Sequence, residues 1–322
     1  MTSALKYFGD ILSTAARLSL TLFRLMIPII IVIKILEYFG FIGIISNSLS
    51  AVMEWVGLPG AMGLVWATTM ITNLYGGLVV YASIAADFPL SVAQVTVLSF
   101  MMLTAHSLPI EAGVAKKAGV SLVATLILRI GMAIVAGLLL NLLYQQFNLL
   151  QQPARLLWTP EPVQSGLAQW AVSQAMSLLW IFLIVLALVL LLDILQRSGI
   201  TEAINRLLRP LLHLLGIGRE AETITLIGIT LGLSYGGAML IHQARAGHIK
   251  TRDVLFSISL LGLSHSLIED TLLMLLTGAD LVGILLLRIL LSLLVIYFLV
   301  KLVAKYNVER FIVHSVASHS PE

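Results

Sequence analysis

Long apolar segments constrain this chain more than any other feature of its sequence. Only 11% of its 322 residues are charged and 59% are hydrophobic, whereas soluble domains carry about 25% charged residues. A helix needs about 20 mostly apolar residues to cross a bilayer. We therefore expect an all-α polytopic membrane protein rather than a water-soluble enzyme. The long apolar segments are residues 18–38, 60–85, 91–110, 118–144, 171–195, 220–244, 253–276 and 281–303.

A set of uncommon residues recurs in the two halves of the chain. Tyr-Gly-Gly occurs at 75–77 and again at 235–237, and His-Ser-Leu occurs at 106–108 and again at 265–267. The same order within otherwise apolar segments indicates an internal repeat. At the 159-residue spacing of the His-Ser-Leu motifs, the further matches are Gly57 with Gly216, Glu111 with Asp270, Gly119 with Gly278 and Arg129 with Arg288.

The repeat predicts the domain organisation. The longest polar stretch separates the halves and contains Pro153, Pro160 and Pro162, as expected of a linker. The shorter segments 41–56 and 199–215 look amphipathic and are expected to lie at the membrane interface. The predicted parts are a first repeat (1–144), a periplasmic linker (145–169), a second repeat (170–305) and a cytoplasmic tail (306–322).

Segments 60–85 and 220–244 each carry Tyr-Gly-Gly near their middle. Glycine is costly inside a helix and natural at a tight turn. Each half-segment of about 10–12 residues is too short to cross a bilayer. We therefore predict that each segment forms a re-entrant hairpin with its tip at the Tyr-Gly-Gly motif.

The distribution of basic residues favours hairpins over complete spans. With two re-entrant hairpins and a cytoplasmic N-terminus, only Lys34 and Arg155 among the basic residues flanking the apolar segments fall outside. Complete spans would also move the lysines of 116–117 and the arginines of 197–219 outside, against the positive-inside rule. The prediction is two inverted repeats in a bacterial inner (cytoplasmic) membrane, with both termini cytoplasmic. Each repeat would have three transmembrane helices, an interfacial helix and a re-entrant hairpin.

The hairpin tips are the first candidate binding elements. They would place free backbone N–H and C=O groups inside the membrane, where these groups could bind a solute or an ion. The alternative is that the glycines only allow close helix packing. The predicted substrate-binding residues of the tips are Asn73, Tyr75, Gly76, Gly77, Ser234, Tyr235, Gly236 and Gly237.

The helices that follow the hairpins carry His-Ser and then acidic residues. A histidine and an acid four or five residues later lie near one side of a helix, so both can face one cavity. Ionisable groups inside a membrane are functional by default. They could hydrogen-bond a polar solute, carry a coupling proton or bind a divalent cation, or they could form a polar cluster that only holds the repeats together. These residues are His106, Ser107, Glu111, His265, Ser266, Glu269 and Asp270.

Arg129 and Arg288 lie inside apolar helices. An unpaired arginine there costs about 2.5–3.5 kcal/mol, so each needs an acidic partner from the preceding helix. We expect Glu111 to pair with Arg129, and Glu269 or Asp270 to pair with Arg288. These pairs would act as structural braces or as part of anion binding or gating.

Several kinds of chemistry are excluded. The chain has no cysteine, which removes thiol catalysis and thiolate metal sites. No phosphate-binding loop, nucleophile–base set or metalloenzyme motif is present. We expect no enzymatic activity, no cofactor, no resident metal centre and no binding of nucleic acid.

The two Tyr-Gly-Gly hairpins, each followed by a helix with His-Ser-Leu and acids, resemble the nucleoside-recognition or Gate domain, with one unit in each half. Related units occur in concentrative nucleoside transporters, bacterial ferrous-iron transporters and spore maturation proteins. The resemblance implies re-entrant hairpins in an inverted repeat. It also implies assembly into oligomers, so we expect a homo-oligomer.

The leading hypothesis is an inner-membrane transporter of a small polar solute, nucleoside-like or a small organic ion. It would be secondary-active, coupled to H⁺ or Na⁺, or facilitative, and its partners would be the solute, the coupling ion and the lipid bilayer. The first alternative is a divalent metal-ion permease that uses the histidines and acids as ligands. The second alternative is a membrane scaffold or regulatory subunit that transports nothing.

Overall fold

The computed structural model describes residues 2–157 and 166–306, and within these residues every regular element is a helix. Six stretches of this part are long and apolar enough to cross a membrane, which confirms the all-α membrane class. They are Lys6–Leu36, Val92–Lys117, Leu122–Gln146, Ala168–Arg197, Thr251–Leu275 and Val282–Tyr306. The middle of the predicted linker (158–165) and nearly all of the predicted tail (307–322) lie outside the described residues.

The described helices of the second half follow the same order as those of the first. The first half contains α1 (Thr2–Tyr38), α2 (Phe41–Trp55), α3 (Met62–Ile71), α4 (Leu74–Ile84), α5 (Val92–Thr104), α6 (Leu108–Lys117) and α7 (Leu122–Gln146). The second half contains α8 (Leu167–Arg197), α9 (Ile200–Leu214), α10 (Arg219–Leu231), α11 (Leu233–Arg245), α12 (Thr251–Ser264), α13 (Leu267–Leu275), a π-helical segment (Val282–Leu287) and α14 (Arg288–Tyr306).

The chain folds back between α3 and α4 and between α10 and α11, a few residues before the Tyr-Gly-Gly motifs, and the first turn includes the predicted tip residue Asn73. The first turn lies at Thr72 and Asn73, where the Asn73 side chain caps α4 by accepting the Gly76 N–H at 2.8 Å. The second turn lies at Gly232, whose φ of 98° favours glycine. The tips therefore precede the Tyr-Gly-Gly motifs, because a side-chain cap and a left-handed glycine make the turns.

The glycines of the motifs occupy the first turn of each return helix and permit close contact with the outgoing helix. A Cβ atom on Gly77 would lie 1.8 Å from Thr69 Oγ1, and one on Gly236 would lie 2.4 Å from Gly228 Cα. The two helices of each hairpin thus pack with their backbones close together, which only small residues allow.

Two of the six candidate spans are interrupted at the His-Ser motifs. The span Val92–Lys117 consists of α5 and α6, and the span Thr251–Leu275 consists of α12 and α13. Ser107 and Ser266 stand at the two breaks with left-handed φ angles of 49° and 48°. The expectation that each histidine and its acid share one continuous helix is therefore wrong: one helix ends one or two residues before the histidine, at Thr104 or Ser264, and a new helix begins after the serine.

The interrupted spans form the centre of the molecule. They are 72% buried, whereas the other four candidate spans are 17–33% buried. The halves meet along α5, where the hydroxyls of Ser99 and Thr277 are 3.0 Å apart and the Asp280 N–H donates to Thr96 Oγ1 at 2.8 Å. The two helix breaks consequently lie deep in the protein.

Candidate functional site

Each histidine at a helix break is held by the last turn of its own helix. His106 Nδ1 lies 3.2 Å from the Met102 carbonyl oxygen and 3.1 Å from that of Leu103. His265 Nδ1 lies 2.7 Å from the Leu261 carbonyl oxygen. A carbonyl can only accept, so Nδ1 carries the proton in both rings. In each neutral ring Nε2 is then a hydrogen-bond acceptor.

The two acceptor nitrogens face each other. His106 Nε2 and His265 Nε2 are 3.2 Å apart, and both residues are only 5% exposed. Two lone pairs cannot share a hydrogen bond unless a proton lies between them. This arrangement of one histidine from each half therefore suits an added proton or a cation.

Glu111 connects this pair to Arg129. Its Oε1 lies 3.1 Å from His106 Nε2 and 3.5 Å from His265 Nε2, and its Oε2 accepts a hydrogen bond from Arg129 Nη1 at 2.5 Å. The carboxylate is 7% exposed and the arginine is fully buried. The structure thus forms the ion pair that the sequence predicted for the first half.

Both arginines bind carbonyl groups near the ends of the broken helices. Arg129 Nε donates to Thr104 O at 2.9 Å, and Arg288 Nε donates to Leu263 O at 3.0 Å. Arg288 Nη2 also donates to Leu103 O at 3.3 Å and to His265 O at 3.2 Å. Carbonyls in the last turn of a helix lack partners within the helix. The arginines therefore supply the hydrogen bonds that the breaks remove.

The ion pair predicted for Arg288 does not form. Among the described residues, Asp270 Oδ2 and Arg288 Nη1 are both buried without a hydrogen-bond partner. Glu269 instead interacts with the Tyr75 hydroxyl from the hairpin of the other half. Arg288 Nε and Nη2 donate to carbonyls near both helix breaks, and Arg288 Nη1 and Asp270 Oδ2 remain without hydrogen-bond partners among the described residues.

The hairpin turns pack against the helix breaks. Ser107 Oγ donates to Thr72 O at 2.9 Å, and the Ser107 N–H donates to Thr69 O at 3.1 Å. In the second half, a Cβ atom on Gly232 would lie 2.8 Å from Ser266 Oγ. The hairpin turns and the predicted serines Ser107 and Ser266 are thus neighbours in each half.

Not every predicted tip residue supplies a group to this centre. The Asn73 side chain caps α4, and Gly76, Gly77, Gly236 and Gly237 provide room for close packing. The side chains of Ser234 and Tyr235 lie outside the described part of the chain. We define the histidine cluster as His106, Glu111, Arg129, His265, Asp270 and Arg288.

Sequence reasoning missed the breaks themselves and Thr271. Pro109 directly follows Leu108 and is a signal for a helix start, because proline suits the first turn of a helix. The second break has no such proline. Thr271 directly follows Asp270 in the sequence. Its Oγ1 is buried and has no hydrogen-bond partner within the described ranges. Nothing in the neighbouring sequence indicates a role for this residue.

Comparisons with known proteins agree with this architecture. Residues 178–280, which include α10 to α13, match the model of the Gate family, described as nucleoside recognition, and this confirms the resemblance over that segment. The chain is also 26% identical over 275 residues to the uncharacterized membrane protein YvoD of Bacillus subtilis (strain 168), covering 84% of this chain and 86% of the relative. No solved structure matches the chain. The chain is thus similar to the Gate family over residues 178–280 and, over most of its length, to a membrane protein of Bacillus subtilis.

Proposed function

We propose that this protein is an inner-membrane transporter of a small polar solute, secondary-active or facilitative, with its binding site at the histidine cluster. One observation carries this proposal: the two most buried candidate spans are both broken, and near the breaks Arg129 Nη2, Asp270 Oδ2 and Arg288 Nη1 are buried without hydrogen-bond partners among the described residues. A buried polar group without a partner costs about 1–3 kcal/mol. Such a group in a native protein calls for an explanation, and a functional role or a bound ion is one.

Broken helices at the centre of a membrane protein support a transport role. Irregular backbone at membrane depth is tolerated where it is packed in protein or lines a cavity. Transporters commonly bind solutes between paired discontinuous helices from two inverted repeats. We extend the proposal to inverted repeats with re-entrant hairpins, to cytoplasmic termini and to a homo-oligomer.

The polar groups of the cluster indicate what kind of solute would fit. Arg129 Nη2 and Arg288 Nη1 are buried donors, and Asp270 Oδ2 is a buried acceptor, each without a partner in the described residues. A solute that both donates and accepts hydrogen bonds would satisfy all three. Nucleoside-like molecules and small organic ions have this property, and coupling to H⁺ or Na⁺ is part of the proposal.

Alternating access would require one hairpin to move relative to the rest. The hairpin of α10 and α11 contacts α6 of the other half: a Cβ atom on Gly237 would lie 2.7 Å from Val114 Cγ1. This contact joins the hairpin of α10 and α11 to α6, the helix that carries Glu111. We propose that movement of this hairpin opens the histidine cluster to one side of the membrane.

Uptake into proteoliposomes tests the proposal. Wild type, His106→Ala/His265→Ala and the control His248→Ala would be supplied with radiolabelled nucleosides, bases, small organic acids and divalent metals. His248 is exposed and bonds Gln243, far in sequence from the cluster. We expect saturable uptake of one class, at least tenfold slower in the double variant and unchanged in the control. A folded double variant that transports at the wild-type rate would place the site elsewhere, and no uptake of any compound by wild type would favour the scaffold hypothesis.

A further inference from the structure

We infer that the histidine cluster binds a divalent transition-metal ion through His106 Nε2, His265 Nε2, Glu111 Oε1 and Asp270 Oδ2. The inference rests on the proposed function in taking the histidine cluster as the binding site of a transporter, and it names a metal ion in place of an organic solute. It also goes against the expectation that the protein has no metal site.

Three of the four atoms already have the separations that a tetrahedral ion requires. Bonds of about 2.0–2.1 Å to a tetrahedral metal place the ligand atoms about 3.3–3.4 Å apart. His106 Nε2, His265 Nε2 and Glu111 Oε1 are separated by 3.2, 3.1 and 3.5 Å. They form a nearly equilateral triangle above which one ion can contact all three.

Asp270 completes the set from the second half. Its Oδ2 lies 4.0 Å from His106 Nε2, and the ligand atoms of His106, His265 and Asp270 all lie within 4.8 Å of one another. This oxygen is buried and has no hydrogen-bond partner in the part of the chain that the structure describes. As the fourth ligand of a tetrahedral ion, this oxygen would have to move closer to His106 Nε2 than its present 4.0 Å.

The groups around these atoms orient them as metal ligands. Histidines that bind metals almost always donate their second N–H to a carbonyl or carboxylate, which fixes the ring and leaves the other nitrogen free. His106 and His265 both do so through Nδ1. Arg129 holds the second oxygen of Glu111, which leaves Oε1 directed at the two rings.

The chemistry of the ligands selects the class of ion. Two imidazoles disfavour Mg²⁺ and Ca²⁺, which prefer oxygen ligands. Mixed imidazole and carboxylate ligands without sulfur suit Zn²⁺, Fe²⁺ or Mn²⁺. The chain has no cysteine that could bind a softer ion more tightly.

The buried arginines make the site weak, as a transport site should be. Arg129 and Arg288 already balance the charges of Glu111 and Asp270, so a dication adds positive charge to a buried cluster. Binding should therefore be weaker than at a closed structural zinc site. Weak binding allows an ion to leave as well as to enter.

Cobalt binding to the full purified chain in detergent tests the site directly. Co²⁺ absorbs visible light in tetrahedral nitrogen and oxygen sites, and Zn²⁺ displaces it. We expect one displaceable Co²⁺ per chain in wild type and in His248→Ala, and at least tenfold weaker binding in His265→Ala and in Asp270→Asn. Circular dichroism and size exclusion check folding. Asp270→Asn keeps the size of the side chain and decides the result if His265→Ala does not fold. Absence of Co²⁺ binding in wild type, or equal binding in folded Asp270→Asn, would overturn the inference.

Flux of Zn²⁺ and Mn²⁺ into liposomes containing an ion-sensitive dye separates this inference from the proposed function. Cobalt binding together with ion flux supports both. Cobalt binding without flux of any solute retains the metal site and rejects transport. Uptake of an organic solute that is lost in His106→Ala/His265→Ala, without cobalt binding, retains the transporter and rejects the metal ion.

Discussion

Glu111 in the first half and Asp270 in the second are matched acids, 159 residues apart, yet their surroundings differ. Glu111 accepts a hydrogen bond from Arg129, whereas Asp270 Oδ2 lacks a hydrogen-bond partner among the described residues. Arg288, the match of Arg129, donates instead to carbonyls of Leu263, His265 and Leu103. The same motif therefore forms a closed ion pair in one half and leaves an open acceptor in the other.

This difference shows how a repeated sequence can produce an asymmetric site. The ion pair with Arg129 fixes Glu111 in place. The Asp270 carboxylate, whose Oδ2 has no hydrogen-bond partner among the described residues, can instead bind an entering ion or solute. A site with two equal closed pairs would have no free acceptor to offer. The asymmetry thus links the packing of the arginines to the capacity of the cluster to bind.

The largest expected effect comes from a test of how the two halves are oriented in the membrane. In this test a single cysteine either reacts with an impermeant reagent from one side or does not react. The wild type has no cysteine, so single cysteines at Ala86 and Ala246, two exposed and matched positions after the hairpins, can be labelled without background. An impermeant maleimide added to intact cells should label Ala86→Cys, and should label Ala246→Cys only after the membrane is opened. Labelling of both from the same side would show that the repeats are not inverted.

The next largest effect compares the two acids. Glu111→Gln leaves the buried Arg129 without its anionic partner, and breaking a buried ion pair costs about 3–5 kcal/mol. Asp270→Asn breaks no hydrogen bond of Oδ2 with the described residues, so we expect a smaller loss than for Glu111→Gln. Thermal unfolding in detergent measures both. Equal losses would mean that Asp270 is as firmly paired as Glu111.

Local patterns allowed much of this fold to be predicted, and backbone conformation accounts for what they missed. Apolar length indicated the spans, and the spacing of rare polar residues indicated that Glu111 pairs with Arg129. No glycine marks the helix break at Ser107, because a serine adopts the left-handed φ angle there. The break could therefore not be predicted from a glycine position. The predicted pairing of Arg288 was wrong: its Nε and Nη2 donate to carbonyls near the two breaks, and Asp270 Oδ2 has no hydrogen-bond partner among the described residues.

The smallest expected effect compares the matched glycines Gly76 and Gly236. A Cβ atom on Gly236 would lie 2.4 Å from Gly228 Cα, and backbone cannot move aside, so Gly236→Ala should cost about 1–3 kcal/mol. A Cβ atom on Gly76 would meet the side-chain oxygen of Thr72 at 2.5 Å. That side chain can rotate, so Gly76→Ala should cost less. Gly113, with nothing within 4 Å of its Cβ position, is the control and should gain about 0.5–1 kcal/mol as alanine. If Gly76→Ala is the more destabilising of the pair, the first hairpin is the more tightly packed one.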